Sequence, residues 1–128
     1  MERKLKVLLL EPFHSGSHKA WAEGLKKHSS HDVSIVSHPG SFWRWRIRGS
    51  ALTLAEETQE IVIENGEPDI ILVSGMIDLA AWLGFTKRFL GNPPVILYQH
   101  ENQLTYPMPE GQSPDSSMKF VNWKNMVV

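Results

Sequence analysis

The chain has 128 residues, 41% of them apolar and 21% charged, with a formal net charge of −1 and no cysteine. That length suffices for one domain with a hydrophobic core. The missing cysteines exclude disulfides and thiolate zinc sites, and the near-neutral charge excludes a chain that attracts nucleic acid over its whole surface. The apolar stretch Val7 to Leu10 is too short for a signal-peptide core or a membrane span, so a cytoplasmic protein with no membrane partner is expected.

Taken in chain order, Lys6 to Leu10 holds the continuous apolar run Val7 to Leu10, the pattern of a strand buried on both faces. A loop from Glu11 to Gly16 follows, and Ser17 is placed to cap a helix running to about His28. Asp32 to Ser37 reads as a second strand, and Pro39-Gly40 opens an irregular segment rich in Trp and Arg. Helical spacing holds from about Ser50 to Asn65, where Asn65-Gly66 is a helix stop. Asp69 to Ser74 is a third strand, Asp78 to about Phe89 a third helix, and Val95 to Tyr98 a fourth strand. Gln99 to about Ser116 reads as a loop, and Ser117 opens another helix. Strands alternating with helices predict an α/β fold, a Rossmann-like parallel sheet with helices on both faces.

Ligands of such sheets bind outside the carboxyl ends of the strands. The rule points to residues 11–17, 38–50, 74–78 and 98–107, which hold the notable polar side chains. In the first loop, Gly16 and Ser17 sit at a helix N-terminus, which suits a diphosphate or a sugar hydroxyl; a plain strand-to-helix turn explains them equally well. His14 and His18 are four apart, but Gly16 between them breaks the helix that a metal pair would need, and no metal site is expected. Between Trp43 and Arg48, arginines alternate with tryptophans and an isoleucine. An extended segment would put guanidiniums on one face for phosphates and indoles on the other for a base or sugar. The alternative is an amphipathic hairpin with its tryptophans packed inward. After the third strand, Asp78 reads as the cap of the next helix. After the fourth, Gln99 to Gln103 are five consecutive polar residues, with His100 and Glu101 placed for hydrogen bonding to a sugar or for proton transfer.

Three segments carry a family resemblance: Leu10 to Lys19, Trp45 to Leu52, and Tyr98 to Pro107 with its His-Glu-Asn-Gln-Leu-Thr-Tyr-Pro string. In order and spacing they resemble the tRNA-queuosine α-mannosyltransferase family, over nearly the whole chain. The resemblance implies the N-terminal half of a retaining GT-B glycosyltransferase. Residues 1–128 would be its acceptor-side domain, with a C-terminal donor-binding domain missing. The implied donor is GDP-mannose, the implied acceptor is the queuosine base of tRNA, and no further cofactor is implied. His100 would lie near the transferred sugar, with Glu101, Asn102 and Gln103 orienting it or binding acceptor. Gly16 and Ser17 would face the cleft between domains, and Trp45, Arg46 and Arg48 would be acceptor contacts. Two competing expectations are a non-catalytic RNA- or nucleotide-binding α/β module, and a metal-dependent hydrolase built on His14, His18, His100 and Glu101.

Overall fold

The computed structural model describes residues 2–100, 110–111 and 116–128, and within these the side chains of Trp43, Arg44, Arg48 and Ser116 are left aside. Eight elements follow one another: β1 (Lys6–His14), α1 (Gly16–His28), β2 (Asp32–Pro39), α2 (Trp43–Asn65), β3 (Ile70–Ser74), α3 (Leu79–Thr86), β4 (Val95–Tyr98) and α4 (Ser116–Val127). The four strands form one parallel sheet in the order β2-β1-β3-β4. Among the described residues no helix is long and apolar enough to cross a membrane.

The interior of β1 is apolar because it is covered twice. Leu8 and Leu10 point into a core shared with Ala51, Leu54 and Ala55 of α2 and with Leu79 and Trp82 of α3. Leu9, one residue out of phase, packs with Ala22 of α1 and Val33 of β2 on the other face. Helices therefore cover both faces of the sheet, as the alternating pattern predicts. β1 pairs with β2 on one side and β3 on the other, so the chain switches direction across the sheet beside β1.

Several boundaries differ from the sequence pattern, among them the end of α3, which is Thr86 and not Phe89. β1 does not stop at Leu10 but runs to His14, with an irregular register against β2 between Glu11 and His14. α1 starts at Gly16, which has φ +53°, and its N-cap is Ser15, without a side-chain hydrogen bond. Ser17 therefore lies inside the helix instead of capping it.

The largest correction concerns α2. The helix begins at Trp43, so the Trp-Arg segment is neither extended nor a hairpin. Helical spacing continues upstream of Ser50 because Ile47, Ser50, Ala51, Leu54, Ala55 and Thr58 form one buried stripe. Tertiary burial on a period of 3.6 outweighs the local alternation of arginine and tryptophan. Gly49 fits this arrangement, since a Cβ there would meet the Trp45 indole at 3.0 Å.

α4 docks through polar groups. Asn125 Nδ2 donates to the Ile77 carbonyl at 2.6 Å, and its Oδ1 accepts from the Leu79 amide at 2.9 Å. Lys124 pairs with Asp78 at 2.8 Å, and Asp78 caps α3 by accepting from the Ala81 amide, as the sequence suggests. Ile47, Met118 and Val121 close the seam between α4 and α2.

Leu54 is fully buried between α2 and the sheet. Leu54→Ala is expected to cost about 2–5 kcal/mol of stability, read as a lowered denaturant midpoint at unchanged slope. His38 on β2 ties the sheet to α2 through a 2.6 Å hydrogen bond between its Nε2 and Thr53 Oγ1. Burial first, and the Arg46 guanidinium second, hold its imidazole below the usual pKa of 6.5. The fold thus favours neutral His38. Its contribution is complete above about pH 6.5 and is lost as pH falls toward the lowered folded value. His38→Gln is expected to flatten the loss of thermal midpoint between about pH 7 and 5, and an unchanged slope would remove this assignment.

Candidate functional site

The carboxyl ends of β1, β3 and β4 bring Glu11, Ser74 and Tyr98 to one rim, where α1 adds His18 and the residues after β4 add His100. Glu11 is the centre of this cluster and is fully buried. Its Oε1 accepts from the Phe13 amide at 3.0 Å and from Ser74 Oγ at 3.2 Å, and lies 3.1 Å from His18 Nδ1. With its donors on β1, α1 and β3, the carboxylate has little freedom to turn. Oε2 is buried, has no hydrogen-bond partner among the described residues, and lies 3.9 Å from His100 Nε2.

The imidazoles are held by rings. His18 and His100 stack at 3.9 Å with an interplanar angle of 29°. Tyr98 and Trp21 each meet His100 edge-on, at 4.9 and 5.0 Å, and stack on one another at 4.6 Å. Phe13 meets His18 edge-on at 5.8 Å. The side chain of His100 is 10% exposed. The site is thus a buried carboxylate and two imidazoles walled by aromatics, with Gly16 and Ser17 exposed at the start of α1. Gly16 leaves this side clear, since a Cβ there would meet nothing within 4 Å.

Two close approaches fix the surrounding loops. A Cβ on Gly75 would fall 2.3 Å from Gln99 Oε1, and that oxygen accepts from Asn122 Nδ2 at 3.0 Å. A Cβ on Gly40 would fall 1.9 Å from the Cβ of Ser15. The start of α1 and the end of β2 are therefore in direct contact.

Glu11, His18 and His100 offer ligand atoms within 4.8 Å of one another, a donor set that zinc accepts. The two imidazoles of this set lie face to face, stacked at 3.9 Å. Of the four residues of the hydrolase expectation, the structure brings His18 and His100 together. His14 instead faces Glu23 at 3.3 Å, and Glu101 lies outside the described residues.

The other predicted site residues divide in the same way. Trp45 and Arg46 lie in the first turns of α2, with the Arg46 guanidinium 4.9 Å from the Trp45 ring and its Nε donating to the Ser41 carbonyl at 3.3 Å. Arg48 is on the same helix with its side chain undescribed, and Asn102 and Gln103 lie outside the described residues. The sequence pattern does not single out Glu11, Ser74 or Trp21, and it groups His18 with His100 only as metal ligands in the hydrolase expectation. A signal for Glu11 is present all the same: a carboxylate directly after three leucines is costly to bury unless it has a task.

Comparison with known proteins bears on this rim. Residues 6–128 match the family model described as tRNA-queuosine alpha-mannosyltransferase N-terminal. The chain is 34% identical over 118 residues to the tRNA-queuosine alpha-mannosyltransferase of Drosophila melanogaster, covering 91% of this chain and 30% of that relative's length. No solved structure matches the chain. A match over almost every residue, including the strand-end loops that build the rim, places the chain in the tRNA-queuosine alpha-mannosyltransferase N-terminal family.

Proposed function

We propose that this chain is the acceptor-side domain of a retaining, GT-B type α-mannosyltransferase that transfers mannose from GDP-mannose to the queuosine base of tRNA in the cytoplasm. The supporting observation is the placement of His100, held among aromatic rings beside a buried carboxylate at the carboxyl end of the sheet. Family membership gives the class of reaction, and the Drosophila relative's name gives its acceptor and sugar. The chain spans 30% of that relative's length, so the donor-binding C-terminal domain belongs to the proposal as well.

In this reading His100 hydrogen-bonds the transferred sugar, where a fixed polar group acts on charge that develops as the glycosidic bond breaks. Glu101, Asn102 and Gln103, next in sequence, orient that contact or bind acceptor. Gly16 and Ser17 present backbone amides and a hydroxyl at the start of α1 to the donor side of the cleft. On α2, Trp45 is half exposed beside Arg46, a pairing suited to stacking on a nucleotide and holding a phosphate, and Arg48 lies on the same helix.

The competing reading, a non-catalytic RNA-binding module, draws on the same Trp45–Arg46 pair and separates by experiment. The complete gene product is expected to transfer mannose from GDP-mannose to queuosine-containing tRNA, and His100→Ala to lower kcat by about tenfold or more with the fold intact. Wild-type turnover in that variant would end the role given to His100; tRNA binding without any transfer would favour the binding module. Replacing Arg46 and Arg48 together by alanine is expected to raise the KM for tRNA. It should also flatten the salt dependence of tRNA binding by about one logarithmic unit of slope for each phosphate that the variant leaves unneutralised.

A further inference from the structure

The proposed transfer gives Glu11 no task, yet its side chain is fully buried in the sheet. A carboxylate with no exposed surface must be compensated by donors, and apolar replacements of buried ionic groups are often no less stable. Stability alone is a poor reason to keep it. Its geometry is also asymmetric. Oε1 is ringed by the Phe13 amide, His18 and Ser74, while Oε2 is left to face His100 Nε2 at 3.9 Å. That gap is too long for a direct hydrogen bond and is of the kind that closes when a substrate completes the site. The stack on His18 and the edges of Tyr98 and Trp21 leave the His100 ring little room to rotate away.

We propose that Glu11 is a positioning residue for His100: its Oε2 keeps a proton on Nε2 and so fixes the tautomer and orientation in which the imidazole meets the sugar. Glu11 would act through His100, as a buried acid orients a catalytic histidine elsewhere. His18 would have a supporting part, anchoring Oε1 while stacking on the ring that Oε2 addresses. The inference rests on the reading of His100 as a sugar contact.

The test uses the complete gene product with GDP-mannose and queuosine-containing tRNA. Glu11→Gln keeps the shape and removes the charge. Its kcat is expected to fall by about tenfold while KM for both substrates stays within about threefold of wild type. In the unaltered protein, nitrogen-15 spectra of the imidazoles are expected to show Nε2 of His100 protonated, a measurement independent of whether the variant folds. A neutral His100 ring with its proton on Nδ1 overturns the proposal, as does Glu11→Gln turnover within about twofold of wild type. His100→Ala, run in parallel, separates the two claims. If His100→Ala is slow and Glu11→Gln is not, only the role of Glu11 falls; if His100→Ala matches wild type, the reading of His100 itself falls.

Discussion

A carboxylate sealed from water must collect its own donors, and Glu11 at the end of the central strand imposes that demand on everything near it. Its Oε1 takes contacts from its own strand, from α1 and from β3. Each contact sets an element. The Phe13 amide fixes the run of β1 past the point where apolar burial alone would end it. His18 fixes the rotation of α1, and Ser74 fixes the end of β3. The cost of burying the charge is offset only while all of these elements are in place, so the rim is rigid for an electrostatic reason. The aromatic wall then completes what the carboxylate starts, since Tyr98 and Trp21 stack on one another only if β4 and α1 have been brought to the same height.

The opposite face of the sheet is organised by burial. α2 owes its length to the stripe from Ile47 to Thr58, and α3 and α4 lean on it through Trp82, Met118 and Val121. Polar contacts there serve docking: Asn125 satisfies two backbone groups at the start of α3 that would otherwise be buried without partners. One layer of the domain is therefore held by shape, while the end of the strands is held by charge and hydrogen bonding.

What is legible in the sequence follows the same division. The strands and most helices are readable because their signals are local: apolar runs, the Asp78 cap, and the Asn65-Gly66 stop. The α/β class follows from their order. The Trp-Arg segment misleads because alternation over a few residues resembles a strand, whereas Ile47 is buried against Met118 and Val121 of α4, far away in sequence. At the rim, His100 is legible as a polar residue after a strand. Its partner Glu11 is not, because it reads as loop once β1 is cut at Leu10, and the stacking of His18 on His100 comes from the fold. Sequence spacing pairs His18 with His14; the extended backbone at Ser15 and the left-handed turn at Gly16 send the two in different directions.

The contact between Gly40 and Ser15 carries a consequence for how such a domain can change over time. The absence of a side chain at 40 leaves room for the turn that launches α1, so the connection from β2 to α2 and the turn beside His18 are shaped as one piece. A single methyl group at position 40 could be accepted only if Ser15 moved, and Gly16 and His18 would move with it. Variation in the loop that leads to Trp45 and Arg46 is therefore mechanically linked to the buried histidine pair. A descendant sequence that reshapes one of these loops has to reshape the other in the same step.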